Sequence, residues 1–75
     1  MPRPQRLAAQ PDPSCPPGTK LLVIPRADGS ELRLLVPDAV TTVVVILNDD
    51  GSVGWIEDSV TGRGITDRVR PAPAV

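Results

Sequence analysis

Apolar residues in this chain fall in short runs separated by turn-forming pairs, and no stretch sustains the 3.6-residue repeat of a helix. Lys20–Pro25 (KLLVIP) reads as a strand. The Asp28-Gly29 pair behind it favours a tight hairpin, since glycine takes φ > 0 at little cost. Glu31–Val36 (ELRLLV) returns with Leu32, Leu34 and Val36 alternating against Glu31 and Arg33, and Pro37-Asp38 is expected to end it because proline brings no ladder donor. Thr41–Leu47 (TTVVVIL) is the strongest strand, β-branched at six of its seven positions. Asn48-Asp49-Asp50-Gly51 marks a second turn, Ser52–Glu57 pairs back, and a short last strand is expected over Arg63–Ile65 or Thr66–Arg70.

This pattern predicts an all-β protein: a small antiparallel meander or barrel-like module of four to five strands. Prolines divide the chain. Of ten, six lie between Pro2 and Pro17, two close the chain at Pro71 and Pro73, and only Pro25 and Pro37 fall inside the body. The expected organisation is an extended proline-rich arm over 1–17, a β-domain over 18–70 and a tail over 71–75, with removal of the arm sparing the body.

The central strand is apolar on both faces, with Val43, Val45 and Leu47 on one and Val44 and Ile46 on the other. A single sheet covers one face; the second needs a closed barrel, a folded-over tail or another chain. Leu21–Ile24 repeats the problem. Val43, Val45 and Leu47, with Leu22 and Ile24, are therefore candidate interface residues. Trp55, the sole aromatic, joins them; alternation puts it on the face of Val53 and Glu57, either plugging the core or anchoring a partner.

Charge and inventory narrow the chemistry. Eight basic and nine acidic residues give a net charge of −1, so a nucleic-acid partner is possible but disfavoured. With no histidine, no tyrosine and one cysteine, Cys15, the usual general bases and activated nucleophiles are missing, and an enzyme is not expected. No catalytic residue, cofactor or metal site is assigned. Asn48–Gly51 offers oxygen ligands without the distal glutamate spacing of a calcium loop, and a hairpin explains it better. Arg63, Arg68 and Arg70, around the glycines of Thr61-Gly62-Arg63-Gly64, form the one local basic cluster and are candidate anion contacts.

No apolar stretch follows Arg3 and Arg6, so no signal peptide is visible, and the longest aliphatic run, Val43–Leu47, falls far short of the ~20 residues of a membrane span. A soluble protein, cytoplasmic or carried in a virion, is expected. Its partners would be protein, either itself or a larger assembly, with no membrane. An arm followed by a compact β-body is the general plan of small decoration or minor proteins of phage capsids and tails, an analogy of architecture without a shared motif. The alternative is an SH3-like regulatory module, a closed barrel presenting Trp55 or the Arg63–Arg70 segment to a protein or nucleic acid.

Overall fold

The computed structural model describes residues 4–72, so Pro2 and the closing Pro73 lie outside the described residues. Its elements are β1 (Gln5–Ala8), β2 (Thr19–Pro25), β3 (Glu31–Pro37), β4 (Thr42–Leu47), β5 (Val53–Asp58), a 3-10 turn at Thr66–Arg68 and β6 (Arg70–Pro71). The all-β expectation holds. Among the described residues the strands number six, and they form two antiparallel sheets, ordered β1-β4-β5 and β2-β3-β6.

Both hairpins lie where the Asp-Gly signals put them. In each turn the residue after the first strand donates to the residue before the second: Arg26 N–H to Ser30 O at 2.9 Å, and Asn48 N–H to Ser52 O at 2.8 Å. Gly29 and Gly51 take φ of 88° and 86°, a conformation that costs a residue with a Cβ on the order of 1–2 kcal/mol. Asp28 and Asp50 tie the turns by an identical device. Each Oδ1 accepts both the backbone N–H and the hydroxyl of the serine two residues on, Ser30 and Ser52.

The meander expectation fails at the link between the hairpins. A meander would lay β3 beside β4, yet the two belong to different sheets. The Pro37–Val40 turn carries the chain from one to the other, with Val40 N–H donating to Pro37 O. A meander leaves Val43 and Val45 bare on one side, whereas stacking the two hairpins buries the apolar faces of both. Val43, Val45 and Ile56 from one sheet meet Leu22, Ile24, Leu34 and Val36 from the other in one aliphatic core.

Residues 1–17 do not all behave as an arm apart from the body. Gln5–Ala8 is β1, paired with β4 in the register Gln5↔Val45 to Ala8↔Thr42, and Ala9 is buried in the core. At Gln10 the chain crosses to the other sheet, exchanging two backbone hydrogen bonds with Leu21, each 2.8 Å. At the opposite side, residues 63–66 run along the free edge of β5: Asp58 N–H donates to Arg63 O, Ile65 N–H to Ile56 O, and the Thr66 hydroxyl accepts from Ile56 N–H. The segment then enters β6, where Leu35 faces Arg70 and Leu34 faces Pro71. These two crossings join the sheets at their margins, but the strands do not close into a barrel. The last strand is therefore neither Arg63–Ile65, where only Gly64 bridges Glu57, nor Thr66–Arg70, whose first residues form the 3-10 turn.

The core explains most of the two-sided strand. Val43, Val45, Leu22 and Ile24 are 0% exposed within a single chain, and Leu47 packs against the same cluster. Val43, Val45, Leu22 and Ile24 are core and offer no docking surface, which corrects their reading as interface residues; Leu47 remains half-buried at the core's margin. What covers them is the facing sheet, with Leu7 of β1 packed against the same cluster.

Candidate functional site

The outer face of the β1-β4-β5 sheet carries the residues that the core does not use. Cross-strand pairing sets Arg6, Val44 and Glu57 in one row and Ile46 beside Trp55 in the next. Val44 and Ile46 are half-buried, while Trp55 remains 43% exposed.

Trp55 does not share a face with Val53, contrary to simple alternation. Ile46 faces Trp55 while Leu47 faces Val53, so Gly54 is an extra residue, a bulge in β5. Val53 consequently turns inward and packs on the core with Leu47, while Trp55, next to buried Ile56, keeps the outward face it shares with Glu57. Gly54 fits that place for a second reason: a Cβ there would stand 2.8 Å from Asn48 Oδ1 and 3.2 Å from Ile46 O. An isolated glycine inside a strand pattern is the sequence mark of such a bulge, and it was legible in SVGWIE.

Two contacts pin the ring on this surface. Its Nε1–H donates to Glu57 Oε1 at 3.0 Å, two residues along the same strand. Its six-membered ring lies against the backbone of Gly64, close enough that any side chain there would overlap it. Gly64 is in turn held by its bridge to Glu57. A large apolar side chain is thus fixed in one pose while nearly half of it faces solvent. Val60, 75% exposed, projects from the turn that joins β5 to Gly64.

A second feature adjoins Gly64. A cleft of about 510 Å³ opens between the Pro37–Val40 turn and the segment from Asp58 to Arg68, with Val40 and Ile65 in its floor and Arg63 and Arg68 on its walls. Asp58 also lines it, but its Oδ1 is engaged in its own turn, accepting Val60 N–H at 2.8 Å and Thr61 N–H at 3.4 Å. The sequence-level arginine cluster is therefore split. Arg63 and Arg68 converge on the cleft, whereas Arg70 is in β6 opposite Leu35 and is no part of its lining. Pro37, Ala39 and Gly64 complete walls that no local sequence signal assigned.

The Asn48–Gly51 turn packs beside the Arg26–Asp28 turn, bringing Asp28, Asp49 and Asp50 to one end of the molecule with Arg26. Among the described residues no group of three histidine, cysteine, aspartate or glutamate side chains gathers with metal-holding geometry. The serine hydroxyls and backbone amides hold Asp28 and Asp50 below the usual carboxylate pKa, and Ser14 does the same to Asp12. These aspartates fasten turns. Cys15 is a half-buried free thiol in the Asp12–Cys15 turn.

The architecture defines a class: a small antiparallel β-sandwich whose one aromatic side chain is fixed at the surface beside an arginine-walled cleft. No protein-family model matches the chain, and no curated protein or solved structure matches it either. Among the described residues no helix is long and apolar enough to cross a membrane.

Proposed function

We propose that the chain is a non-enzymatic assembly protein that docks on a larger protein complex through the outer face of its β1-β4-β5 sheet. The observation that carries this reading is the pose of Trp55, held by Glu57 and Gly64 with 43% of its surface open to solvent. A fixed aromatic loses little conformational entropy when covered, and tryptophan is among the residues that dominate contact energies. Val44 and Ile46 beside it supply an aliphatic surround, and Arg6 and Glu57 a charged rim. The inventory of side chains, without histidine or tyrosine, supports a binding role over a catalytic one.

The aliphatic docking face expected from Val43, Val45 and Leu47 is replaced here by its reverse side, Val44 and Ile46 with Trp55. Native extracts of the source, fractionated by size, test the proposal. The intact chain should travel with a species far above its own 7.9 kDa. A Trp55→Ala chain of equal thermal stability should leave that fraction, and cross-links from position 55 should identify the protein it touched. A chain running as a free monomer, or a Trp55→Ala variant that stays with the complex, would overturn the proposal.

A further inference from the structure

The cleft at Gly64 is chemically distinct from the apolar face above it. Its floor is aliphatic, formed by buried Val40 and Ile65, and Pro37 and Ala39 extend that surface. Its charged walls are Arg63, from the segment along β5, and Arg68, from the 3-10 turn. Among the described residues neither guanidinium donates a hydrogen bond to a protein acceptor, whereas Arg26, in the hairpin turn, is engaged by Ser30. The one carboxylate in the lining, Asp58, is committed to two amides of its own turn. Asp38 and Asp67 lie next in sequence to lining residues without lining the cleft themselves. Two unengaged arginines therefore face a space of about 510 Å³, enough for a small organic molecule.

We propose that this cleft is a binding site for an oxyanion group, carboxylate or phosphate, on a compact aliphatic carrier. Guanidinium groups match both oxyanions with paired N–H donors, and Arg63 and Arg68 reach the site from separate segments. The aliphatic floor takes the carrier and leaves the charged head between the arginines. Gly64 lets the backbone form part of the wall directly beneath the Trp55 ring. Occupancy of the cleft should consequently be sensed by the only tryptophan in the chain. The site does not depend on docking at Trp55, so either proposal can fail alone.

The test is a titration of the full-length, isotope-labelled chain with inorganic phosphate and with glutarate, against sodium chloride at matched ionic strength. Amide shifts and Trp55 emission are both read. Saturable shifts confined to the cleft's two walls, residues 38–40 and 58–68, and to Trp55 against Gly64, with Kd on the order of 1 mM, are expected for at least one probe. Preference for phosphate would point to a phosphate ester as the natural ligand, and preference for glutarate to a carboxylate on an aliphatic chain. The double variant Arg63→Gln, Arg68→Gln should weaken binding about tenfold or more, a loss of about 1.4 kcal/mol or more. Arg68→Lys should weaken it several-fold, since charge without the planar fork is kept, and Arg70→Gln should leave it unchanged. Shifts that match those from chloride, that never saturate, or that persist in a folded double variant would overturn the proposal.

Discussion

The Trp55 ring rests directly on the backbone of Gly64, nine residues further along the chain, and leaves no room for a side chain there. This pair links the outer face of one sheet to the segment that leads into the other. Gly64→Ala should displace the ring from its bed, although the backbone at Gly64 is not in the left-handed region that demands glycine. Expected results are a shift in Trp55 emission and a stability loss of about 1 kcal/mol, at the low end for overpacking because the ring can yield toward solvent. A Gly64→Ala variant with unchanged emission would show that the ring does not rest there in solution.

Neighbouring positions in β4 and β5 should differ sharply in what they tolerate. Ile56 is fully buried at the centre of the core, and Ile46 is half-buried on the opposite face. Ile56→Ala should cost about 2–5 kcal/mol, a large part of the whole stability of so small a domain. Ile46→Ala should cost about 1 kcal/mol or less. Chemical denaturation of both variants measures the contrast; equal losses would place the sheet in the opposite register.

Deletion of residues 1–10 should abolish cooperative unfolding. It removes β1 from the edge of β4, takes Ala9 from the core and breaks the paired Gln10–Leu21 hydrogen bonds. The bare edge would carry Val43 and Val45, a pairing template for other chains. Circular dichroism and light scattering on the truncated chain read the outcome, which should be loss of the thermal transition with aggregation. A stable monomer would restore the picture of a detachable arm.

Acid stability should reflect the three Asp-x-Ser turns. Asp12, Asp28 and Asp50 have pKa values lowered by hydrogen bonds from Ser14, Ser30 and Ser52, chiefly from the hydroxyl and then from the backbone amide. A lowered folded-state pKa means that the unfolded chain takes up protons first as pH falls. Their contribution is therefore full above the ordinary aspartate value of about 3.9 and is lost as pH drops through the lower folded values. Thermal melts should be nearly flat from neutral pH down to about pH 4 and decline below it. Replacing all three aspartates with asparagine should flatten that decline; an unchanged acid limb would remove these turns from the account.

Much of the fold was legible in local residue patterns. Asp28-Gly29 and Asp50-Gly51 specify their turns through glycine's access to positive φ and the aspartates' reach to a serine two residues on, and both hairpins lie where those residues predict them. The strand signals over Lys20–Pro25, Glu31–Val36, Thr41–Leu47 and Ser52–Glu57 lie within one residue of the observed bounds at each end. β1 was missed because Gln5-Arg6-Leu7-Ala8 contains no β-branched or aromatic residue and sits among prolines. Only its alternation of Leu7 and Ala9 with Arg6 hints at a half-buried strand. The candidate site was half legible: Arg63 and Arg68 were marked by their clustering, whereas their separation from Arg70 depends on the 3-10 turn that carries the chain from the edge of β5 to β3.

By itself, then, the sequence determined the class of structure, the hairpins and the need to cover a strand that is apolar on both sides, since each follows from residue preference and a two-residue period. Tertiary structure alone decided which residues do the covering. Stacking one hairpin on the other buried Val43 and Val45, the N-terminal segment added a strand, and the Gly54 bulge turned Val53 into the core while Trp55 stayed outward against Gly64. Such choices rest on contacts between residues far apart in the chain, and no local propensity encodes which of two apolar faces another sheet will meet.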